Sequence, residues 1–178
     1  MNPNDAFTAR ARIAIEKAQE AAEALGHSYV GSEHLLLGIL REDGGQGARI
    51  LKDNGLTDAL VTERIEQTVG RGQPSAPPQG LSPGAKRAIE LAIGDAGRQG
   101  RGLVGTEHLL MGLLRENGCT AARILSEAGV DLSRLYAELA RSGAPEQRGR
   151  PAAPGRGGML TYSNYTPNTT RFSSSSTG

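Results

Sequence analysis

Tryptophan is absent from the 178-residue chain, cysteine occurs once, and aromatic side chains make up only 3% of it. Each scarcity removes a class of function. The lone Cys119 cannot close an internal disulfide, and no cysteine cluster is present to hold zinc. So few rings argue against a stacking platform for single-stranded nucleic acid. Charge of one sign is missing too. Lys and Arg number 20 against 19 Asp and Glu, a formal net charge of +1, so no whole-protein field favours nucleic acid or an acidic membrane surface. No apolar run reaches the roughly 18 residues that would span a bilayer. The amino-terminal MNPNDAFTAR has no basic stretch leading into an apolar one, so no secretion signal is read and the expected compartment is the cytoplasm.

Catalytic signatures are equally scarce. There is no Gly-x-x-x-x-Gly-Lys-[Ser/Thr] loop to cradle a phosphate, no Gly-x-Ser-x-Gly elbow, and no strand–Gly–helix dinucleotide fingerprint. Glu-x-x-His and His-x-x-x-His spacings are absent, so no metal site is expected. The composition points to a binding module without a cofactor rather than to an enzyme.

What the chain does have is a sentence written twice. VGSEHLLLGILRE begins at Val30 and VGTEHLLMGLLRE at Val104, an offset of 74 residues. Over Val30–Lys52 against Val104–Ser126, 15 of 23 positions are identical. The same offset carries backwards without a gap to Phe7-Thr8 and Leu81-Ser82, and forwards to Gly55 and Gly129. The expected organisation is a double-repeat domain over 1–142: repeat one over 7–70, a Pro/Gly-rich linker over 71–80, and repeat two over 81–142. The segment 143–178 is Gly-, Pro- and Ser-rich with few core-forming residues, and is expected to be disordered.

Each repeat reads as four short helices, and nothing reads as a strand. In the first, Ala11, Ile15, Ala18, Ala22 and Leu25 recur at three- and four-residue steps. Thr8 is its expected N-cap, and Ser82-Pro83 is the stronger signature in repeat two. The second helix is expected to start with Ser32, or Thr106, as N-cap. It is apolar nearly all round, so it should be central and buried. A third short helix covers Ala48–Lys52. A fourth begins at Thr57, with Leu60, Val61, Ile65 and Val69 on its inner side. The fold class expected is all-α: eight short helices as two tandem four-helix repeats packed with pseudo-twofold symmetry.

The Glu-His pairs, Glu33-His34 and Glu107-His108, are the residues nearest to chemistry. A glutamate in the first turn of a helix is favoured by the macrodipole alone, and that leaves a ligand-facing role open beside the capping one. His34 and His108 precede buried runs and are expected to pack with one ring nitrogen satisfied. Adjacent Glu and His side chains diverge by about 100° on a helix, which argues against a shared metal. Cys119 stands where repeat one has Gly45 and is expected to be inert.

The stretches FTARARIAIEKAQEAAEALGHSYVGSEHLLLGILRE and LSPGAKRAIELA…LVGTEHLLMGLLRENGCTAARIL resemble the two halves of the Clp amino-terminal repeat domain, most nearly the ClpC type. The likeness covers about residues 6–140. It implies a domain that stands before ATPase rings, which this sequence lacks, and that receives substrates and MecA-like adaptors for the Clp protease. It also implies a receptor for phosphoarginine, with one pocket per repeat. The motif glutamates Glu33 and Glu107 would hold the guanidinium in a bidentate fork. Arg12 and Lys86, at equivalent places in the first helices, would face the phosphate, with Thr8 and Ser82 as further candidates. Two departures, RQGRGLVG and Gly84 in repeat two, are expected at the rim of the Glu107 pocket. The function implied is substrate and adaptor recognition, non-catalytic alone. The alternative is a stand-alone regulator that competes for Clp adaptors or substrates. The chain is expected to be a monomer, bound to neither nucleic acid nor membrane.

Overall fold

In a computed structural model, residues 6–72, 77–100, 102–116 and 118–141 are described. The regular structure of those residues is helical. Repeat one folds as α1 (Ala9–Ala24), α2 (Ser32–Glu42), α3 (Gln46–Asp53) and α4 (Asp58–Thr68). Repeat two follows as α5 (Pro83–Arg98), α6 (Thr106–Arg115), α7 (Thr120–Glu127) and α8 (Leu132–Ala140). The segment from 142 onward, including the expected tail, lies outside the described residues, as do 73–76 of the linker. Among the described residues no helix is long and apolar enough to cross a membrane.

Local chemistry accounts for most helix ends. Thr8 and Ser82 cap α1 and α5, their hydroxyls accepting from the N–H groups of Ala11 (3.1 Å) and Ala85 (3.2 Å). Thr57 and Asp131 do the same for α4 and α8, each satisfying a donor that the first turn leaves without an intrahelical partner. Cys119 caps α7 through its sulfur, which accepts from Ala122 N–H at 3.4 Å. The expected caps of α2 and α6 are corrected. Gly31 and Gly105 are the N-caps, and Ser32 and Thr106 are already helical. With no side chain at the cap, the reciprocal bond comes from the third helical residue. Gly31 N–H donates to His34 Nδ1 (2.8 Å), and Gly105 N–H donates to His108 Nδ1 (2.9 Å). Histidine thus plays the part that Glu or Gln plays in a capping box.

The displaced hydroxyls have another task. Ser32 Oγ accepts from Ala121 N–H at the start of α7, and Thr106 Oγ1 accepts from Gly47 N–H at the start of α3, both at 3.1 Å. Each repeat therefore caps the third helix of the other. The backbone is exchanged in the same way. Val104 N–H donates to Ala6 O and Thr8 N–H to Val104 O, while Val30 N–H donates to Gly80 O and Ser82 N–H to Val30 O. The two resulting parallel bridges, Phe7 with Val104 and Val30 with Leu81, are related by the 74-residue offset. That reciprocity is what a pseudo-twofold arrangement requires.

The core sits on α2 and α6. Every residue from Ser32 to Leu40 and from Thr106 to Leu114 is buried. Each of these helices packs on three helices of its own repeat and on three of the other. Small residues let the layers close up. Ala11, Ala14, Ala18, Ala21 and Ala22 form the inner face of α1. A Cβ added at Gly38 of α2 would stand 2.1 Å from Ala14 O, and one at Gly112 of α6 would stand 2.0 Å from Ala88 O. The helix backbones touch at these crossings, and any residue but glycine would collide with a main-chain oxygen. Leu60 is only half-buried and Val69 is exposed, so the inner side of α4 is carried by Val61 and Ile65.

The repeats part company at the arginine near the end of the second helix. Arg41 pairs with Asp58, its Nε donating at 2.9 Å. In repeat two the offset replaces Asp58 by Leu132 and Ala21 by Asp95. Arg115 accordingly turns to the buried Asp95 (2.7 Å), which also accepts from Arg98 and from the Tyr136 hydroxyl.

Candidate functional site: a groove shared by the repeats

Glu33 opens onto a groove of about 620 Å³ whose two walls come from different repeats. Repeat one supplies the α1–α2 connection from Gly26 to Tyr29, the start of α2 and Val69, and the linker adds Arg71 and Gly72. Repeat two supplies Ser82, Gly84 and Arg87 at the start of α5, with Glu116, Gly118, Cys119 and Thr120 at the start of α7. The N-termini of α2, α5 and α7 thus converge on one cavity. The aligned peptide dipoles of these helix starts favour negative charge there.

Into this positive setting the fold places one buried carboxylate. Glu33 is 8% exposed. Burial raises its pKa, while its own backbone N–H, His27 and the Ser32 hydroxyl pull in the other direction. The carboxylate folds back over the helix start, so a Cβ at Gly31 would lie 2.4 Å from Glu33 Oε1. Gly31 is therefore both cap and clearance for the acid. A desolvated carboxylate of this kind gains strongly from a cation, because the partner replaces the water it has lost.

His34 cannot serve as an acid, a base or a ready ligand. Its Nδ1 accepts from Gly31 N–H, so Nε2 carries the proton and donates to His27 Nδ1 at 2.7 Å. His27 Nε2–H then donates to Gly70 O at 2.8 Å. Both ring nitrogens of His34 are used, where one had been expected. Burial, followed by the electrostatic effect of the neighbouring His27, lowers the His34 pKa to about 4. His27, Glu33 and His34 do bring one donor atom each within 4.8 Å of one another, the one such trio among the described residues. A cation there would have to break the His27–His34 bond, and the arrangement fits a tie between loops better than a metal centre. Repeat two builds the same tie without a second histidine, His108 Nε2 donating to Gln99 Oε1 at 2.8 Å.

Residues 6–126 and 80–154 match the family model described as the Clp repeat (R) N-terminal domain. The chain belongs to that family. It is 39% identical over 147 residues to the negative regulator of genetic competence ClpC/MecB of Bacillus subtilis, a match covering 83% of this chain and 18% of that protein. It is 35% identical over 161 residues to the ATP-dependent Clp protease ATP-binding subunit ClpC of Staphylococcus aureus, covering 90% and 19%. This Clp repeat domain thus spans under a fifth of the length of these relatives. Among solved structures, the N-terminal domain of the chaperone ClpD from Arabidopsis thaliana matches with a TM-score of 0.65 at 26% identity, over 78% of this chain and 94% of that one. The N-domain of ClpV in complex with a VipB peptide shares the fold at 21% identity, with a TM-score of 0.61 over 76% and 86%.

Within the Clp repeat domain, Glu33 and Ser82 meet in the described groove, and they come from opposite repeats. Lys86 is exposed and does not line it; its neighbour Arg87 does, paired with Glu116. Gly84 lies in the Glu33 groove, not at the rim of the Glu107 pocket where it was expected. Glu107 is 3% exposed, and Thr8 is buried as the cap of α1. Arg12 is half-buried on α1. Arg101, in the RQGRGLVG stretch beside Glu107, lies outside the described residues. Sequence reasoning chose neither His27 nor Arg87 as a site residue. The 74-residue offset says which residues are equivalent, but not which copy faces which.

Proposed function

We propose that this Clp repeat domain is a recognition module that binds protein substrates or adaptors of a ClpC-type unfoldase without chemistry of its own. We further propose that it takes phosphoarginine as a degradation mark. The observation that carries this reading is the charge pattern of the groove, with one buried carboxylate, Glu33, set among three helix N-termini. A phosphorylated guanidinium has the matching pattern. Its planar cation fits a carboxylate in a bidentate fork, and its phosphate fits N–H groups and dipoles at helix starts. Arg87 and Arg71 stand on the rim, where they pair with Glu116 and Glu66. The Ser82 hydroxyl, across the groove from Glu33, is engaged as the α5 cap. The pseudo-twofold implies a second such place at Glu107, where Thr8 and Arg12 are the counterparts of Ser82 and Lys86. Two equivalent places on one domain suit a partner that offers two marks.

Calorimetry with free phosphoarginine tests the reading. Two sites are expected in the unaltered protein, one in Glu33→Gln, one in Glu107→Gln and none in the double variant. Each substitution removes the charge and keeps the shape. Absence of heat at millimolar phosphoarginine, or unchanged binding in the double variant, refutes it.

A further inference from the structure

Four large apolar side chains stand exposed among the described residues, and two of them, Tyr29 and Val69, line the Glu33 groove. Neither is left loose. The Tyr29 hydroxyl donates to Gln79 Oε1 at 3.1 Å, and Gln79 N–H donates to Ser28 O at 2.7 Å, so the linker ties both the ring hydroxyl and the backbone just before it. Val69 closes α4 one residue before Gly70, whose carbonyl His27 holds at 2.8 Å. Helical spacing would place Val69 with Val61 and Ile65 in the core, yet it is 46% exposed. Two exposed apolar side chains on the lining of one polar groove offer an apolar contact beside its carboxylate. At about 620 Å³ the groove lies in the range of about 300–1,000 Å³ that takes a drug-sized ligand.

We infer that the Glu33 groove reads the residue beside its arginine mark: Glu33 takes the guanidinium, and Tyr29 with Val69 takes an apolar side chain next to it in an extended segment. The inference rests on the reading that Glu33 holds a guanidinium. It concerns one groove only, because the offset places Leu103 and Gly143 at the positions of Tyr29 and Val69.

The test uses fluorescence polarisation with two short labelled peptides, each carrying one phosphoarginine, flanked on both sides by Leu in one and by Gly in the other. A Glu107→Gln background leaves only the Glu33 groove to report. Partial burial of one Leu side chain predicts about five- to tenfold tighter binding of the Leu peptide. Combining Tyr29→Ser with Val69→Ser should bring the ratio of the two affinities to about one. Both side chains are about half exposed, so the fold should survive, and circular dichroism checks it. Equal affinities in the background protein, or a preference that survives the double substitution, overturn the inference and leave the guanidinium reading standing. If neither peptide nor free phosphoarginine binds, both fall.

Discussion

Acid should loosen this domain through one histidine. His34 is 1% exposed, and its pKa falls from 6.5 in an unstructured chain to about 4 in the fold. The causes are burial and the neighbouring His27. A base with a depressed folded value lends stability that is complete above about 6.5 and lost as pH falls toward 4, because the unfolded chain takes the proton first. The full separation corresponds to about 3 kcal/mol, of which about 2 kcal/mol is gone by pH 5. Protonation would also set a cation in the first turn of α2, where the helix dipole opposes it, and would cancel the bond from Gly31. Glu33, 3.9 Å from His34 Nδ1, works in the opposite sense. Its pKa is raised, so the folded state regains stability as pH drops through that value, which trims the net loss. Urea unfolding at pH 7.5, 6.0 and 5.0 measures the effect. His34→Gln is the control, since glutamine can accept from Gly31 N–H without titrating. The native protein should lose about 2 kcal/mol more than the variant between pH 7.5 and 5.0. Equal losses in the two proteins would refute the assignment.

Two further perturbations probe the joint between the repeats and the helix crossings. Ser32→Ala and Thr106→Ala each remove a hydroxyl that caps a helix of the other repeat. Each should cost about 1 kcal/mol in urea unfolding without changing helix content, and a value near zero would mean the cross-repeat caps are idle. Gly38→Ala and Gly112→Ala drive a Cβ to within 2.1 Å and 2.0 Å of a main-chain oxygen. Because the obstacle is backbone, each should cost about 3 kcal/mol or more, and thermal melts that stay within a few degrees of the native protein would show that the helices can slide apart.

The helical fold was legible because its signals are local. Alanines at three- and four-residue steps announce α1, and Ser82-Pro83 announces the start of α5. The unbroken apolar faces of VGSEHLLLGILRE and VGTEHLLMGLLRE announce two buried central helices. Capping was legible where a side chain reaches its own helix, as at Thr8 and Thr57. It was misread at Ser32 and Thr106, because their hydroxyls reach a helix 89 and 59 residues away. The role of the histidines was half legible. Burial could be read from the neighbouring leucines, but the chain from Gly31 through His34 and His27 to Gly70 spans two loops that no spacing rule connects.

The same division holds for the site. The duplicated motif by itself determined that two carboxylates, Glu33 and Glu107, would stand at two equivalent helix starts, because a first-turn glutamate is placed by helix geometry alone. Only the tertiary structure decided what surrounds Glu33. The amino-terminal segments of the repeats are exchanged at Val30 and Val104, so the wall facing Glu33 is built from repeat two, with Ser82, Arg87 and the start of α7. A sequence repeat defines each half up to a twofold rotation, and burial of the shared α2 and α6 faces sets how the halves meet.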